Sequence, residues 1–330
     1  MENILEIKDL SVGFYLENKD LEKEFFYALN SINLSFEKGK IHALAGESGC
    51  GKSVLINTIL RLLPKNAAIK SGKIFFEGKD ILNLKEKEFR KYRGKKISLI
   101  PQDPFMSLNP LYTIEHQLLE IFPNKDRNNL EIVKNSLDEV KIKNIDTVLK
   151  SYPHELSGGM KQRVIIAMSL CSNSNLILAD EPTTALDVSV SNSILDILLK
   201  LKEEGKTIIL ITHDLSIVSN FCDSATIMYL GDIVESANQK DLFKNPLHPY
   251  TKALLEALPS KRGKKLKNIK GTISPITQII NGCKFHPRCE CALEICKTEK
   301  PKEKPKEKPK EKPKEKVYSC NHKVSCHLFD

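Results

Sequence analysis

Residues 46–53 read GESGCGKS and fit the pattern G-x-x-x-x-G-K-[ST]. Glycines at this spacing let a backbone curl around a phosphate and turn its N–H groups inward. Lys52 would reach the β- and γ-phosphates, and Ser53 would offer its hydroxyl to Mg2+. A glycine turn made only for packing does not explain a lysine and a serine together. Residues 176–182, LILADEP, end an apolar run on two acids. Asp180 at such a strand tip can hold Mg2+ through water, and Glu181 can polarise an attacking water as general base. Paired acids after a strand are often merely solvated, but here a phosphate loop precedes them in the same chain. The chemistry these residues suit is transfer of a nucleotide's terminal phosphoryl group to water.

A second chemistry lies at the other end. Six of the nine cysteines, Cys283, Cys289, Cys291, Cys296, Cys320 and Cys326, fall in the last 48 residues. The start, MENILEIKDL, is acidic and lacks the basic and apolar regions of a signal peptide. No apolar stretch approaches the ~18–20 residues needed to cross a bilayer. The expectation is a cytosolic chain, where thiols stay reduced. Clustered thiols there favour a metal or cluster site over disulfides. Cys50, inside the phosphate loop, reads as a tolerated small residue.

These residues need elements to hold them. LEIKDLSVGF and SINLSFEKG alternate and predict antiparallel strands. KIHALAG is a short apolar strand entering the glycine loop, and KSVLINTILRLL follows with helical spacing. GKIFFEGKDI predicts another strand, and residues 115–150 are mostly helical in pattern. SNLILADEP and KTIILITHD are apolar runs of the buried parallel type, separated by the amphipathic stretch NSILDILLKLKEEGK. Strand, helix, strand in this order implies an α/β sheet with crossover helices.

Charge sets the tail apart. Residues 261–330 hold 19 Lys and Arg against 8 Asp and Glu, whereas residues 1–260 hold 32 against 34. A nearly neutral main domain argues against nucleic acid as partner, and a basic tail reads first as a solvated charge run. The stretch 301–316, PKEKPKEKPKEKPKEK, is low-complexity and predicts an extended, solvated loop.

LSGGMKQR at 156–163 resembles the signature motif of ATP-binding cassette (ABC) proteins. The loop at 46–53 then corresponds to the family's Walker A and residues 176–181 to its Walker B, with Gln102 at the expected spacing. ALD at 185–187 is similar to the D-loop, and His213 in ITHD to the switch histidine. Together these motifs cover roughly residues 5–260. The resemblance implies an ABC-type P-loop fold: a mostly parallel sheet, an antiparallel β subdomain and a helical signature subdomain at about 105–165. It implies a nucleotide-binding domain over 1–260 and a small Cys-rich extension over 261–330. It also implies two ATP molecules sandwiched between two such domains.

Candidate ATP contacts on this resemblance are Gly46, Glu47, Ser48, Gly49, Cys50, Gly51, Lys52, Ser53, Val54, Ser157, Gly158, Gly159 and Asp187, the helix at Ser157 facing the γ-phosphate bound by the opposite subunit. Ser157 and Gly159 would open a helix whose N–H donors face an anion. Gln102 would sense the γ-phosphate, join Ser53 and Asp180 around Mg2+, and report to a membrane partner. His213 would hydrogen-bond the γ-phosphate, making Glu181, His213, Lys52 and Gln102 the candidate catalytic set. Phe14 or Tyr15 would stack on adenine; as neighbours on a strand they point to opposite faces, so one of them does.

PQDPFMSLNPLYTI, EPTTALDVSV, NPLHPYTKALLEALP and GCKFHPRC resemble the peptide and nickel importer branch, and within it the ATP-binding subunits of dipeptide and oligopeptide permeases. That implies an ATPase peripheral to the cytoplasmic membrane face, energising peptide uptake. Its implied partners are a second ATPase subunit, two membrane-spanning permease subunits and an extracytoplasmic binding protein. The alternatives are a nickel-chelate importer of the same branch, or a soluble ABC ATPase acting on nucleic acid or ribosomes. In part of this branch four cysteines ligate a [4Fe–4S] cluster; Cys283, Cys289, Cys296 and Cys326 match them, with structural zinc as the other occupant four thiolates suit. The PKEK run separates the third and fourth positions, and Cys291 and Cys320 are additional, so Cys320 competes with Cys326.

Overall fold

The computed structural model describes residues 2–17, 23–124, 127–184, 186–258, 269–305 and 322–330. The strands in chain order are β1 (Asn3–Glu17), β2 (Lys23–Glu37), β3 (Ile41–Ala45), β4 (Ala67–Phe76), β5 (Lys79–Asp80), β6 (Ile97–Ile100), β7 (Leu176–Asp180), β8 (Thr207–Thr212), β9 (Ser224–Tyr229), β10 (Asp232–Asn238), β11 (Glu303–Pro305) and β12 (Lys323–Ser325). The residues group into two compact units.

The first unit holds residues 1–4, 36–41 and 83–211. Its strands lie in the order β8–β7–β6, all parallel, with Ile100 beside Ala179 and Asp180 beside Ile211. Ile177, Leu178 and Ala179 of β7 and Ile208, Ile209 and Leu210 of β8 are buried, as strands covered on both faces must be. Each of these buried Ile and Leu side chains contributes ~1.5–3 kcal/mol by leaving water. Between β7 and β8 runs the helix Val188–Glu203. Its Ile194, Leu195, Ile197, Leu198 and Leu201 are buried, a spacing that makes one apolar stripe. Asp187 caps its start by accepting from the Val190 N–H at 2.9 Å. Gly205, in the left-handed region at φ 87°, ends the turn beyond it. The stretch predicted as mostly helical holds helices Ile114–Leu119, Arg127–Glu139 and Ile145–Lys150, followed by Gly158–Cys171.

The second unit holds residues 5–35, 42–82 and 212–330. One of its sheets runs β2–β1–β4–β5, with β1 and β4 antiparallel. β4 and β5 form a tight hairpin through Glu77 and Gly78, both at positive φ (48° and 77°). Two such residues match the right-handed strand twist. The other strands run β11–β12–β10–β9–β3; β3 and β9 are parallel, and the rest are antiparallel. The helix after the glycine loop is shorter than its spacing predicts. It spans Lys52–Ile59 and stops because Arg61 adopts a left-handed φ of 54°. The start of the PKEK run also departs from the predicted solvated loop, since residues 303–305 pair as β11 with β12. The rest of that run, residues 306–316, lies outside the described residues.

Candidate active site

The glycine loop leaves the buried strand β3 at Ala45 and enters the helix Lys52–Ile59. Gly46, Gly49 and Gly51 take φ of 148°, 81° and 103°. A Cβ on Gly46 would stand 2.2 Å from the Met228 carbonyl oxygen, and one on Gly51 2.7 Å from that of Ala28. At Gly46 and Gly51 side chains are therefore excluded both by conformation and by space, at Gly49 by conformation alone. Gly51 is the N-cap and brings no side chain to it. That leaves the helix N-terminus suited to an anion. Lys52 is buried, and its Nζ donates to the carbonyl oxygens of Gly46 and Glu47 at 2.7 and 3.0 Å. Ser48, Gly49 and Ser53 are exposed, and Val54 is half-buried. Cys50 is buried, and that burial raises its thiol pKa against the pull of Lys52.

Also in the second unit, Tyr15 is exposed and Phe14 half-buried, as alternation requires. Tyr15 meets Phe25 edge-on at 5.0 Å, and its hydroxyl accepts from Lys70 Nζ at 2.8 Å. His213 is exposed, one residue past β8. The loop around it is fixed by the Asp214 N–H donating to Thr212 Oγ1 at 3.0 Å.

In the first unit Glu181 follows β7 directly, at a φ of 45° that a carboxylate side chain rarely adopts. Its N–H donates to the Ile211 carbonyl at 3.0 Å. Strain of this kind concentrates at functional sites, where the surroundings hold it. Its Oε2 accepts from Gln102 Nε2 at 3.1 Å and from Thr184 Oγ1 at 3.0 Å. The parallel register of β6 and β7 brings Gln102 and Glu181 out at the same sheet end. Asp180, half-buried, is the last residue of β7. Ser157 caps the helix Gly158–Cys171 by accepting from the Met160 N–H at 3.3 Å. Gln102, Ser157, Gly158, Gly159 and Asp187 all line one cavity of about 860 Å3. Ala185 of the predicted D-loop lies outside the described residues.

The extension brings four cysteines near one another. The Cys283 N–H donates to the Cys296 carbonyl at 2.9 Å, and Gly282 (φ 68°) makes that approach possible. Burial, then the neighbouring thiols Cys296, Cys326 and Cys289, push the Cys283 thiol up to about 11. Burial and the thiols of Cys289 and Cys296 likewise push Cys326 up to about 11. Thiols that resist ionising together are a soft donor set whose charge a metal would compensate. Among the described residues, however, no three His, Cys, Asp or Glu side chains stand in a group that could hold a metal ion. Cys291 is exposed, and Cys320 lies outside the described residues.

Two contacts have no signal in the sequence. Glu47, in the glycine loop, is bound by Arg288 across 241 positions, and its N–H donates to the Tyr250 hydroxyl at 2.9 Å. The only local hint is that Arg288 sits within the cysteine-bounded stretch CKFHPRC.

Residues 29–184 match the ABC transporter family model, and residues 234–296 match the C-terminal region of oligopeptide/dipeptide transporters. The oligopeptide transport ATP-binding protein OppD of Escherichia coli K12 is 42% identical, over 90% of this chain and 89% of its own. The chain belongs to the ABC transporter ATP-binding proteins. A dipeptide transport ATP-binding protein, DppD of Caldanaerobacter subterraneus, is 38% identical to this ABC ATPase over 92% of this chain and 93% of that one. Among solved structures, a dimeric ATP-binding cassette in a post-hydrolysis state with ADP and Pi superposes with a TM-score of 0.62 at 27% identity. The match covers 71% of this chain and 98% of that cassette. The fold is thus that of an ABC ATPase, which binds ATP with Mg2+ and couples its hydrolysis to transport. No described helix is long and apolar enough to cross a membrane.

Proposed function

We propose that this chain powers the import of dipeptides or oligopeptides by hydrolysing ATP at the cytoplasmic face of the membrane. The observation that carries this reading is the joining, in one chain, of a cassette with an oligopeptide/dipeptide-type C-terminal region. Nickel-chelate import and soluble work on nucleic acid have no comparable support. The domain division proposed with it is a cassette over 1–260 and an extension over 261–330.

The glycine loop cradles the β- and γ-phosphates with its N–H groups, and Lys52 turns from its loop carbonyls to them. Ser53, Asp180 and Gln102 would hold Mg2+, which would supply positive charge against the phosphates. Glu181 takes the proton of a water as that water's oxygen attacks the γ-phosphorus. The bond to the β-phosphate oxygen breaks, giving ADP and inorganic phosphate. His213 hydrogen-bonds the γ-phosphate, and Tyr15, more exposed than Phe14, stacks on adenine. Ser157, Gly158, Gly159 and Asp187 serve the ATP held by a second ATPase subunit. Phe105, Met106 and Leu111, large apolar side chains exposed shortly after Gln102, suit docking to a permease subunit. An extracytoplasmic binding protein would deliver the peptide.

For the extension, Cys283, Cys289, Cys296 and Cys326 are the proposed ligands of a [4Fe–4S] cluster on their match to the cysteine pattern of part of this branch, although among the described residues no three such side chains are grouped to hold a metal ion. When bound, the cluster would staple a segment too small for a core of its own.

The ATPase reading is tested with Glu181→Gln. The variant is expected to bind MgATP, to lose turnover by at least ~10²-fold, and to accumulate as a nucleotide-bound dimer. Normal turnover by that variant removes Glu181 as base.

A further inference from the structure

Glu47 is the second residue of the glycine loop, and its carboxylate belongs to a loop that receives a polyanion. An uncompensated carboxylate there would repel the incoming phosphates. Arg288 meets it with both arms of its guanidinium. Nη1 donates to Oε2 at 2.8 Å and Nη2 to Oε1 at 3.1 Å. Nη1 also reaches the Tyr229 hydroxyl at 3.3 Å, and Nε donates to the Lys270 carbonyl at 2.9 Å. The Arg288 side chain is only 6% exposed. A planar fork in this geometry fixes position as well as charge.

The rest of Glu47 is held as firmly. Its N–H is taken by the Tyr250 hydroxyl, and its carbonyl oxygen by Lys52 Nζ. Tyr250 packs against Phe285 and Tyr229, with ring centres 5.1 and 4.8 Å away. Phe285 is 2% exposed. Phe285 and Arg288 both lie in the seven residues from Cys283 to Cys289. That segment therefore carries a guanidinium that grips the glycine loop and an aromatic ring that packs on Tyr250, the residue that accepts the Glu47 N–H.

We propose that Arg288 is a positioning residue for ATP binding: from the C-terminal extension it neutralises Glu47 and holds the phosphate loop in its receptive shape. This role rests on the proposed function, because it needs the loop to be the ATP site. Arg288 touches no reacting atom, so it acts on nucleotide affinity and not on the chemical step.

The test is calorimetric titration of the full chain with MgATP, together with KM and kcat in the assembled transporter. Arg288→Gln leaves a carboxylate without its partner and is expected to weaken binding about tenfold. KM should rise with it, while kcat stays within about twofold. Arg288→Lys keeps charge but not the fork and is expected to be weakened about threefold. The double variant Arg288→Gln/Glu47→Gln removes both charges and is expected to recover to within about threefold of wild type. A merely structural role would give no such recovery. Wild-type affinity in Arg288→Gln, or a double variant no better than the single, overturns the proposal. If Arg288→Gln shows no cooperative melting transition, Arg288→Lys and the double variant carry the test. Wild-type KM in Arg288→Lys then overturns it. A wild-type chain that takes up no MgATP overturns the proposed function itself; a binding wild type with an equally binding Arg288→Gln overturns only the positioning role.

Discussion

Gln102 donates its side-chain amide to the Glu181 carboxylate at 3.1 Å, joining the second residue after β6 to the residue after β7. The same carboxylate oxygen accepts from Thr184 at 3.0 Å. Two donors on one oxygen fix the carboxylate's direction, as the base role proposed for Glu181 needs. Gln102→Ala is therefore expected to lower turnover about tenfold to a hundredfold, less than Glu181→Gln, while MgATP binding persists. Steady-state ATPase assays on both variants check the order; equal losses would place Gln102 in the chemical step itself.

Lys52 spans Gly46 and Glu47 with two hydrogen bonds from a buried ammonium. Lys52→Ala removes the loop's internal tie and, on the proposed function, the charge that meets the phosphates. Turnover is expected to fall by roughly 10²–10³ and MgATP binding to weaken with it. Titration and turnover on the same preparation check this, and unchanged affinity would place the phosphates elsewhere.

His248 caps the helix Pro249–Glu256, with Nδ1 accepting from the Tyr250 N–H at 3.0 Å. Burial, against the pull of Glu235, lowers its pKa from 6.5 to about 4. Between those values the unfolded chain takes up a proton that the folded chain refuses. Stability is complete above pH 6.5 and falls by about 3 kcal/mol as pH drops towards 4. Glu235 acts in the same direction lower down. Despite burial, hydrogen bonds from the His322 ring and the Leu247 and His248 N–H groups hold its pKa below the usual value, so its contribution is lost in stronger acid. His248→Asn keeps a capping side chain and loses the titration. Denaturant melts at pH 7 and pH 5 should show a smaller drop for the variant, and an equal drop would contradict the assignment.

Removal of any one proposed cluster ligand, for example Cys296→Ser, should abolish bound iron and sulfide and lower the melting temperature. Cys291→Ser should retain both. Cys320→Ser and Cys326→Ser decide the fourth position, because only the true ligand's loss releases iron. Anaerobic absorbance and metal analysis read this directly. Stoichiometric zinc without iron would replace the cluster with a single ion.

The chemistry was legible where it is local. β3, β7 and β8 are short apolar runs attached to motifs, so their residues announce both burial and site. Other features depend on partners far along the chain. β11 is built from Glu303, Lys304 and Pro305, a polar stretch with no alternation, and exists through its register with Ser325, Val324 and Lys323. Val324 is buried with Leu247 and Cys326 in a small apolar cluster that no local pattern predicts. The Glu47–Arg288 pair is invisible for the same reason, since only folding brings a cysteine-flanked arginine to a glycine loop.

Uptake of a radiolabelled tripeptide into proteoliposomes holding the complete transporter, measured beside ATP hydrolysis, tests the central claim most directly. With wild-type chain, binding protein outside and MgATP enclosed in the lumen, peptide should accumulate and hydrolysis should rise with it, while Glu181→Gln should abolish both. Hydrolysis that proceeds at full rate without peptide movement, or uptake that survives Glu181→Gln, would contradict it.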